Sequence, residues 1–121
     1  MKFHRSQVEG NVVTGSGPGW VRVAADEHRE SLVIATDTIV KPWASTFDAL
    51  TEDDFARVKA LEPEIVLLGT GARQRFPHPR LYRMLTDAGI GVEVMDSAAA
   101  ARTYNIIAAE GRRVAAALIL P

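Results

Sequence analysis

The sequence predicts an α/β fold in which helices cover a mixed β-sheet. Residues 11–40 consist of short apolar runs separated by glycine, proline and polar residues, which is typical of strands. From residue 50 onward, helical apolar stripes alternate with buried strands in the order α-β-α-β-α-β, which is typical of a largely parallel sheet. A length of 121 residues, with 47% hydrophobic and 24% charged residues, suits one globular domain over residues 1–121.

The amino-terminal strands are expected at residues 11–14, 20–23 and 31–36, followed by Ile39 and Val40. Residues 15–19 contain three glycines and a proline and therefore predict a loop between the first two strands. The residue types at positions 20–23 alternate along the chain, which is typical of a strand with one solvent-exposed face. We expect these strands to extend the sheet with antiparallel partners, so that the sheet is mixed.

The first helix is predicted to begin after Thr51, because Thr51 and Asp54 form a capping-box variant and acidic residues fill the first turn. Pro63 ends this helix, and residues 64–68 form the next strand. A second helix begins at Pro79 and ends at Gly89. Its apolar stripe consists of Leu81, Met84, Leu85 and Ala88.

The last part of the chain predicts a strand at residues 92–95, a helix from Asp96 and Ser97 to about Ala109, and a strand at residues 113–120. Gly111 separates the helix from the final strand. The alanines at 98–101, 108 and 109 favour a helix that lies close to the sheet, because their side chains are small.

The composition argues against several classes of protein. The chain has no cysteine, which excludes disulfides, thiol catalysis and cysteine metal sites. A net charge of −1 provides no general attraction for nucleic acid. The three histidines lack ligand-like spacing, so we expect no metal and no cofactor. No apolar run has the length of a signal peptide or a membrane span, which predicts a cytoplasmic protein that does not span a membrane.

The first candidate site is the segment LLGTGARQRFP at residues 67–77, where a buried strand ends in a glycine loop. Loops at the carboxyl ends of parallel strands often hold ligands, and Arg73 and Arg75 carry charges that suit an anion. Gly69 and Gly71 are followed by neither a third glycine at Rossmann spacing nor a Gly-Lys-Ser/Thr sequence. The alternative is a tight turn with solvent-exposed arginines.

The second candidate segment is residues 96–105, which follows the next parallel strand and is expected at the same edge of the sheet. Asp96 and Ser97 open the helix, and Arg102 and Asn105 share a polar face of it. A ligand site and a structural network, with Arg102 paired to Asp96 or another carboxylate, both fit this pattern. Asp96 disfavours a nearby anion because it is itself negative.

A candidate partner contact is Trp43, since tryptophan is enriched at interface hot spots. The alternative places Trp43 over the edge of the core. The sequence offers no catalytic residue, because no serine has an evident base and no Gly-x-Ser-x-Gly motif is present.

Three segments carry a resemblance to a known family: Lys41-Pro42-Trp43, residues 63–77 and residues 89–119. They resemble a small family of unknown function from bacteria and archaea that includes a mitochondrial assembly factor for respiratory complex I. The resemblance implies one α/β domain and a role through protein partners, and it carries no established catalytic residues. Relatives often have cysteine where this chain has Ala101, which rules out a thiol role at that position here.

These observations leave two functional hypotheses. The first is a non-enzymatic interaction or assembly-factor-like module, whose link to a respiratory complex rests on the resemblance alone. The second is a protein, with or without enzymatic activity, that binds a small anion or nucleotide through the loops at the sheet edge. Homo-oligomerisation through a sheet edge or the Trp43 loop is a weaker third idea.

Overall fold

The computed structural model describes residues 10–120. Its strands are β1 (Val13–Gly17), β2 (Trp20–Val23), β3 (Asp26–His28), β4 (Leu32–Ala35), β5 (Ile39–Val40), β6 (Ile65–Gly69), β7 (Gly91–Met95) and β8 (Val114–Leu118). Its helices are α1 (Glu52–Lys59), α2 (Arg83–Asp87) and α3 (Ser97–Ala109), and Phe47–Ala49 and Pro79–Tyr82 form 3-10 turns.

The main sheet has five strands in the order β5-β4-β8-β6-β7. Strands β8, β6 and β7 run parallel, whereas β4 pairs antiparallel with both β8 and β5. Two apolar clusters cover its faces: Leu67 and the buried side of α3 lie on one, and Val66, Leu68 and residues of α1 and α2 lie on the other. The mixed α/β architecture agrees with the prediction from the sequence.

The predicted strands at residues 11–14 and 20–23 do not extend the main sheet, because they are β1 and β2 of a separate antiparallel sheet in the order β1-β2-β3, and the sequence did not predict β3. The predicted strand at residues 31–36 and the pair Ile39 and Val40 do extend the main sheet with antiparallel partners. The predicted loop at residues 15–19 is shorter than expected, since β1 continues to Gly17, which pairs with Trp20. Val21 and Val23 are buried in the same cluster as Tyr104 of α3. The small sheet thus buries its apolar face over the core rather than adding a strand to the main sheet.

The capping signals predicted at α1 are present. Thr51 Oγ1 accepts a hydrogen bond from the amide of Asp54 at 3.3 Å, and the Asp54 carboxylate accepts one from the amide of Thr51 at 2.9 Å. The helix ends at Lys59, and Glu62 adopts a left-handed backbone with φ of 56° before Pro63. The helix is therefore slightly shorter than the sequence suggests.

The predicted second helix is divided, because its first part is the 3-10 turn Pro79–Tyr82 and α2 is only five residues long. His78 caps the turn through a 3.1 Å hydrogen bond from the amide of Arg80, and Tyr82 has a non-helical backbone (φ −118°, ψ 19°). Leu85 is fully buried as expected, whereas Ala88 is exposed. Helix α3 follows its predicted course, with Ala100 and Ala101 against the sheet and Ala98 and Ala109 exposed.

Candidate functional site

The loop after β6 and the first turn of α3 meet at the carboxyl edge of the parallel strands, as the sequence analysis expected. Gly69 is the last residue of β6, and a Cβ at this position would lie 2.8 Å from the Cα of Ser97 and 2.9 Å from Leu118 Cδ2. A side chain there would collide with the backbone of α3. Gly69 therefore permits the close approach of α3 to the sheet, which is a structural reason for a glycine at this place.

Ser97 joins three segments through its hydroxyl group. Ser97 Oγ accepts a hydrogen bond from the amide of Gly71 at 2.8 Å and donates one to the carbonyl of Ile119 at 2.7 Å. The amide of Ser97 also donates to the Gly71 carbonyl at 2.9 Å. Because Ser97 is only 8% exposed and its hydroxyl is bonded to backbone on both sides, this group is occupied in holding the fold.

Thr70, which the sequence analysis did not select, organises the rest of the loop. Its Oγ1 donates to the carbonyl of Arg73 at 2.7 Å and accepts from the amide of Arg75 at 3.0 Å. Its amide donates to the carbonyl of Met95 at 2.9 Å, which ties the loop to β7. The amides of Gly71 and Arg75 are thus already bonded within the protein and do not form a free cradle for phosphate. The sequence signal for this role of Thr70 was its hydroxyl side chain between Gly69 and Gly71.

The two arginines of the loop have different surroundings. The Arg75 guanidinium lies 3.2 Å from the carboxylate of Asp48 and 4.1 Å from the centre of the Phe47 ring. Arg75 therefore fastens the loop to the turn that precedes α1. Arg73 is exposed, and its side chain has neither a hydrogen bond nor an ion pair within residues 10–120.

The residues of the second candidate segment, 96–105, face different parts of the protein. Asp96 Oδ1 accepts a hydrogen bond from the amide of Ala99 at 2.8 Å and is the N-cap of α3. Arg102 is exposed, and within residues 10–120 it forms an ion pair neither with Asp96 nor with another carboxylate.

Asn105 lies on the side of α3 that faces the small sheet and does not reach the glycine loop. Its amide oxygen accepts from the backbone of Val13 at 2.9 Å, and its amide nitrogen donates to the carbonyl of Val13 at 2.7 Å. The side chain of Asn105 thus pairs with the edge of β1 as a neighbouring strand would.

Tyr104 contributes a second bond to the same junction. Its hydroxyl donates to the carbonyl of Asn11 at 2.9 Å, and its ring is fully buried. Burial raises the pKa of Tyr104 to about 12, a hydrogen bond with the Thr36 side chain acts against this rise, and the charge of Asp37 adds to it. Tyr104 and Asn105 together hold the small sheet against α3.

Trp43 packs in the core, which is the alternative that the sequence analysis left open. The residue is 5% exposed, its Nε1 donates to the carbonyl of Asp54 at 3.0 Å, and its ring lies edge-on to Phe55 at a centroid distance of 5.9 Å. The ring is therefore not presented to a partner at the surface.

The described residues hold no group of three or more histidine, aspartate or glutamate side chains that could bind a metal ion. His28 Nδ1 lies 3.0 Å from the Lys41 amine and His78 caps a turn, while His4 lies outside the described residues. Within residues 10–120, the helices are too short or too polar to cross a membrane.

A cavity lies elsewhere, at the amino ends of the parallel strands. It has a volume of about 670 Å³ and is bordered by the loops β4–β5, α1–β6 and α3–β8. Arg113 Nε donates to the carbonyl of Glu62 at 3.0 Å, and Arg112 Nε lies 3.7 Å from the Glu64 carboxylate. The candidate residues chosen from the sequence do not line this cavity.

Comparison with known proteins assigns the chain to a family. The family model described as "protein of unknown function (DUF498/DUF598)" matches residues 13–119. The chain belongs to this family. An uncharacterised member from Rhodobacter capsulatus is 37% identical over 109 residues, which cover 88% of this chain and 82% of that protein.

The family also connects the chain to a named eukaryotic protein and to a solved structure. The mouse NADH dehydrogenase [ubiquinone] 1 alpha subcomplex assembly factor 3 is 37% identical over 91 residues, which cover 74% of this chain. The match spans only 49% of that factor, so this chain corresponds to about half of its length. A crystal structure of a protein from Bordetella parapertussis has a TM-score of 0.86 at 39% identity and covers 92% of this chain and 96% of that one.

Proposed function

We propose that this protein acts as a non-enzymatic protein-interaction module, with a role similar to that of an assembly factor. The observation that carries this proposal is the packing at the carboxyl edge of the sheet. The position where an α/β protein commonly binds a small ligand is filled by the contact between Gly69 and Ser97. The hydroxyl groups of Thr70 and Ser97, which the two segments would offer to a ligand, are bonded to the protein's own backbone.

The family relationship supports the same role. A relative named as an assembly factor for NADH dehydrogenase shares 37% identity across 91 residues with this chain. Ser97 is an unsuitable nucleophile, because its hydroxyl is bonded to the Gly71 amide and the Ile119 carbonyl and neither group is a base. A protein partner, connected to a respiratory complex, fits these observations better than a substrate does.

The experiment is affinity purification from the native cell after rapid chemical cross-linking, with the tag alone as the control. We expect one or a few proteins to be recovered reproducibly with the tagged chain and not with the tag. Recovery of the same background proteins in both samples, together with a monomeric mass in light scattering, would contradict the proposal.

Anion binding at the same edge is the second candidate function. Arg73 and Arg102 are exposed on the two segments that meet at Ser97, and neither side chain forms an ion pair within residues 10–120. A ligand bound at a hundredfold excess over its dissociation constant stabilises a fold by about 2.7 kcal/mol. Thermal-shift measurements with inorganic phosphate, nucleotides and dicarboxylates should then show a shift that Arg73→Ala removes and Arg29→Ala leaves unchanged.

A further inference from the structure

Strand β7 is the last strand of the main sheet on one side. It pairs with β6 in parallel register, from Ile65 opposite Gly91 to Gly69 opposite Met95. No other strand in residues 10–120 pairs with β7. A strand at such an edge offers unpaired backbone groups to an incoming chain.

The register decides which residues of β7 face this open edge. In a parallel strand the N–H and C=O of one residue point to the same side, and successive residues alternate between the two sides. Gly91 donates to the carbonyl of Glu64, and Met95 accepts from Thr70, so the odd-numbered residues face β6. Val92 and Val94 therefore direct their backbone groups outward.

A side chain from the glycine loop confirms this assignment. Gln74 Nε2 donates to the carbonyl of Val94 at 2.9 Å. This bond covers the carboxyl end of the open edge. The outward backbone groups that remain are the N–H and C=O of Val92 and the N–H of Val94. Their spacing along the edge matches that of the backbone groups of one extended segment.

Glu93 determines which kind of segment fits. Its register neighbour Leu67 lies in the cluster under α3, so Glu93 is on that face of the sheet, and its side chain is exposed. Two copies of this chain that paired antiparallel about Glu93 would match Val92 with Val94 of the second copy. They would also place the two Glu93 carboxylates directly opposite each other, which is unfavourable.

We propose that β7 binds an extended segment of another protein, in which a lysine or arginine faces Glu93 and apolar residues flank it. The inference depends on the proposed protein-interaction role and names its surface. Hydrogen bonds to Val92 and Val94 provide main-chain affinity, as in other cases of strand addition. The flanking side chains pack beside Val92 and Val94, which are half-buried on the α1 and α2 face.

Two matched synthetic peptides test this surface on the isotopically labelled protein by NMR. One is capped Ser-Thr-Val-Lys-Val-Thr-Ser, and the other has glutamate in place of lysine. We expect the lysine peptide to shift the amides of Val92, Glu93 and Val94 and to protect the amides of Val92 and Val94 from exchange. The glutamate peptide should bind about 1.4- to fivefold more weakly, since a cross-strand charge pair contributes about 0.2–1 kcal/mol. Glu93→Lys should reverse the order of the peptides.

Val92→Pro is the matched backbone variant, because it removes an outward N–H and no hydrogen bond to β6. It should keep the fold and lose peptide binding. Shifts located away from β7, no binding of either peptide, or an unchanged preference in Glu93→Lys would overturn the proposal. If, without any peptide, the protection of the Val92 and Val94 amides from exchange rises with protein concentration, the edge pairs with a second copy of the chain and the proposal is wrong.

The same variant separates this inference from the proposed function. If cells yield the same partner with Val92→Pro as with the wild-type chain, β7 is not the binding surface but the interaction role stands. If the wild-type chain yields no partner, the role itself is refuted.

Discussion

Ser97→Ala should destabilise the protein strongly, because the hydroxyl holds two backbone groups at a buried junction. The change removes the acceptor for the Gly71 amide at 2.8 Å and the donor to the Ile119 carbonyl at 2.7 Å. A buried backbone group left without a partner costs about 1–3 kcal/mol, so the two together predict a loss of about 2–6 kcal/mol in the free energy of unfolding. That is a large part of the total stability of about 5–15 kcal/mol of a typical domain.

Urea unfolding followed by tryptophan fluorescence measures this loss, since Trp43 is buried and reports on the core. Ser31→Ala is the matched control, because Ser31 Oγ accepts only one hydrogen bond, from the amide of Leu120 at 2.9 Å. Its effect should be about half as large. A change of less than about 0.5 kcal/mol in Ser97→Ala, the size of an ordinary surface substitution, would refute the structural role assigned to this hydroxyl.

Three further outcomes are expected from the same kind of measurement. Asn105→Ala should lower the free energy of unfolding by about 1–3 kcal/mol, because both backbone bonds to Val13 are lost, and hydrogen exchange at Val13 should accelerate; unchanged exchange there would contradict this. Arg75→Ala should cost no more than about 2 kcal/mol, since the exposed pair with Asp48 contributes at most about 1 kcal/mol and the contact with the Phe47 ring about as much again, and a larger loss in urea unfolding would show a role that these two contacts do not explain. Tyr104 has a pKa raised from 10.0 to about 12, so the stability that its neutral form contributes below pH 10 should be lost as the pH rises toward 12. Tyr104→Phe should flatten this dependence of the free energy of unfolding on pH. An equally steep curve in the variant would contradict the assignment.

The elements that the sequence predicted well are those whose signals lie within one helical turn. The capping box of Thr51 and Asp54 joins residues three apart, and so does the N-cap bond of Asp96. Gly111, beyond the end of α3, has a φ of 82°, a left-handed conformation that glycine adopts without strain. The division of the second helix was missed, because the His78 cap and the backbone of Tyr82 compete with a continuous apolar stripe.

The sequence predicted that the two candidate segments meet at one edge of the sheet, but it did not predict the hydrogen bonds within them. The two segments meet at one edge because β6 and β7 are parallel, and that followed from the alternation of helices and strands. The bonds of Ser97 to Gly71 and Ile119 cross 26 and 22 residues of sequence, and those of Asn105 to Val13 cross 92. No local pattern specifies contacts over such separations.

By itself, the sequence determined the α/β class, the positions of most strands and helices, and the starts of α1 and α3, because each depends on periodicity and on bonds between near neighbours. Only the tertiary structure decided that β1, β2 and β3 form their own sheet, that Trp43 lies in the core, and that β7 has no second strand partner within residues 10–120. Strand order and burial result from the competition of all apolar surfaces for one core. The segment LLGTGARQRFP consequently has a structural role at Gly69, Thr70, Gly71 and Arg75, while the side chain of Arg73 is exposed and forms no ion pair within residues 10–120.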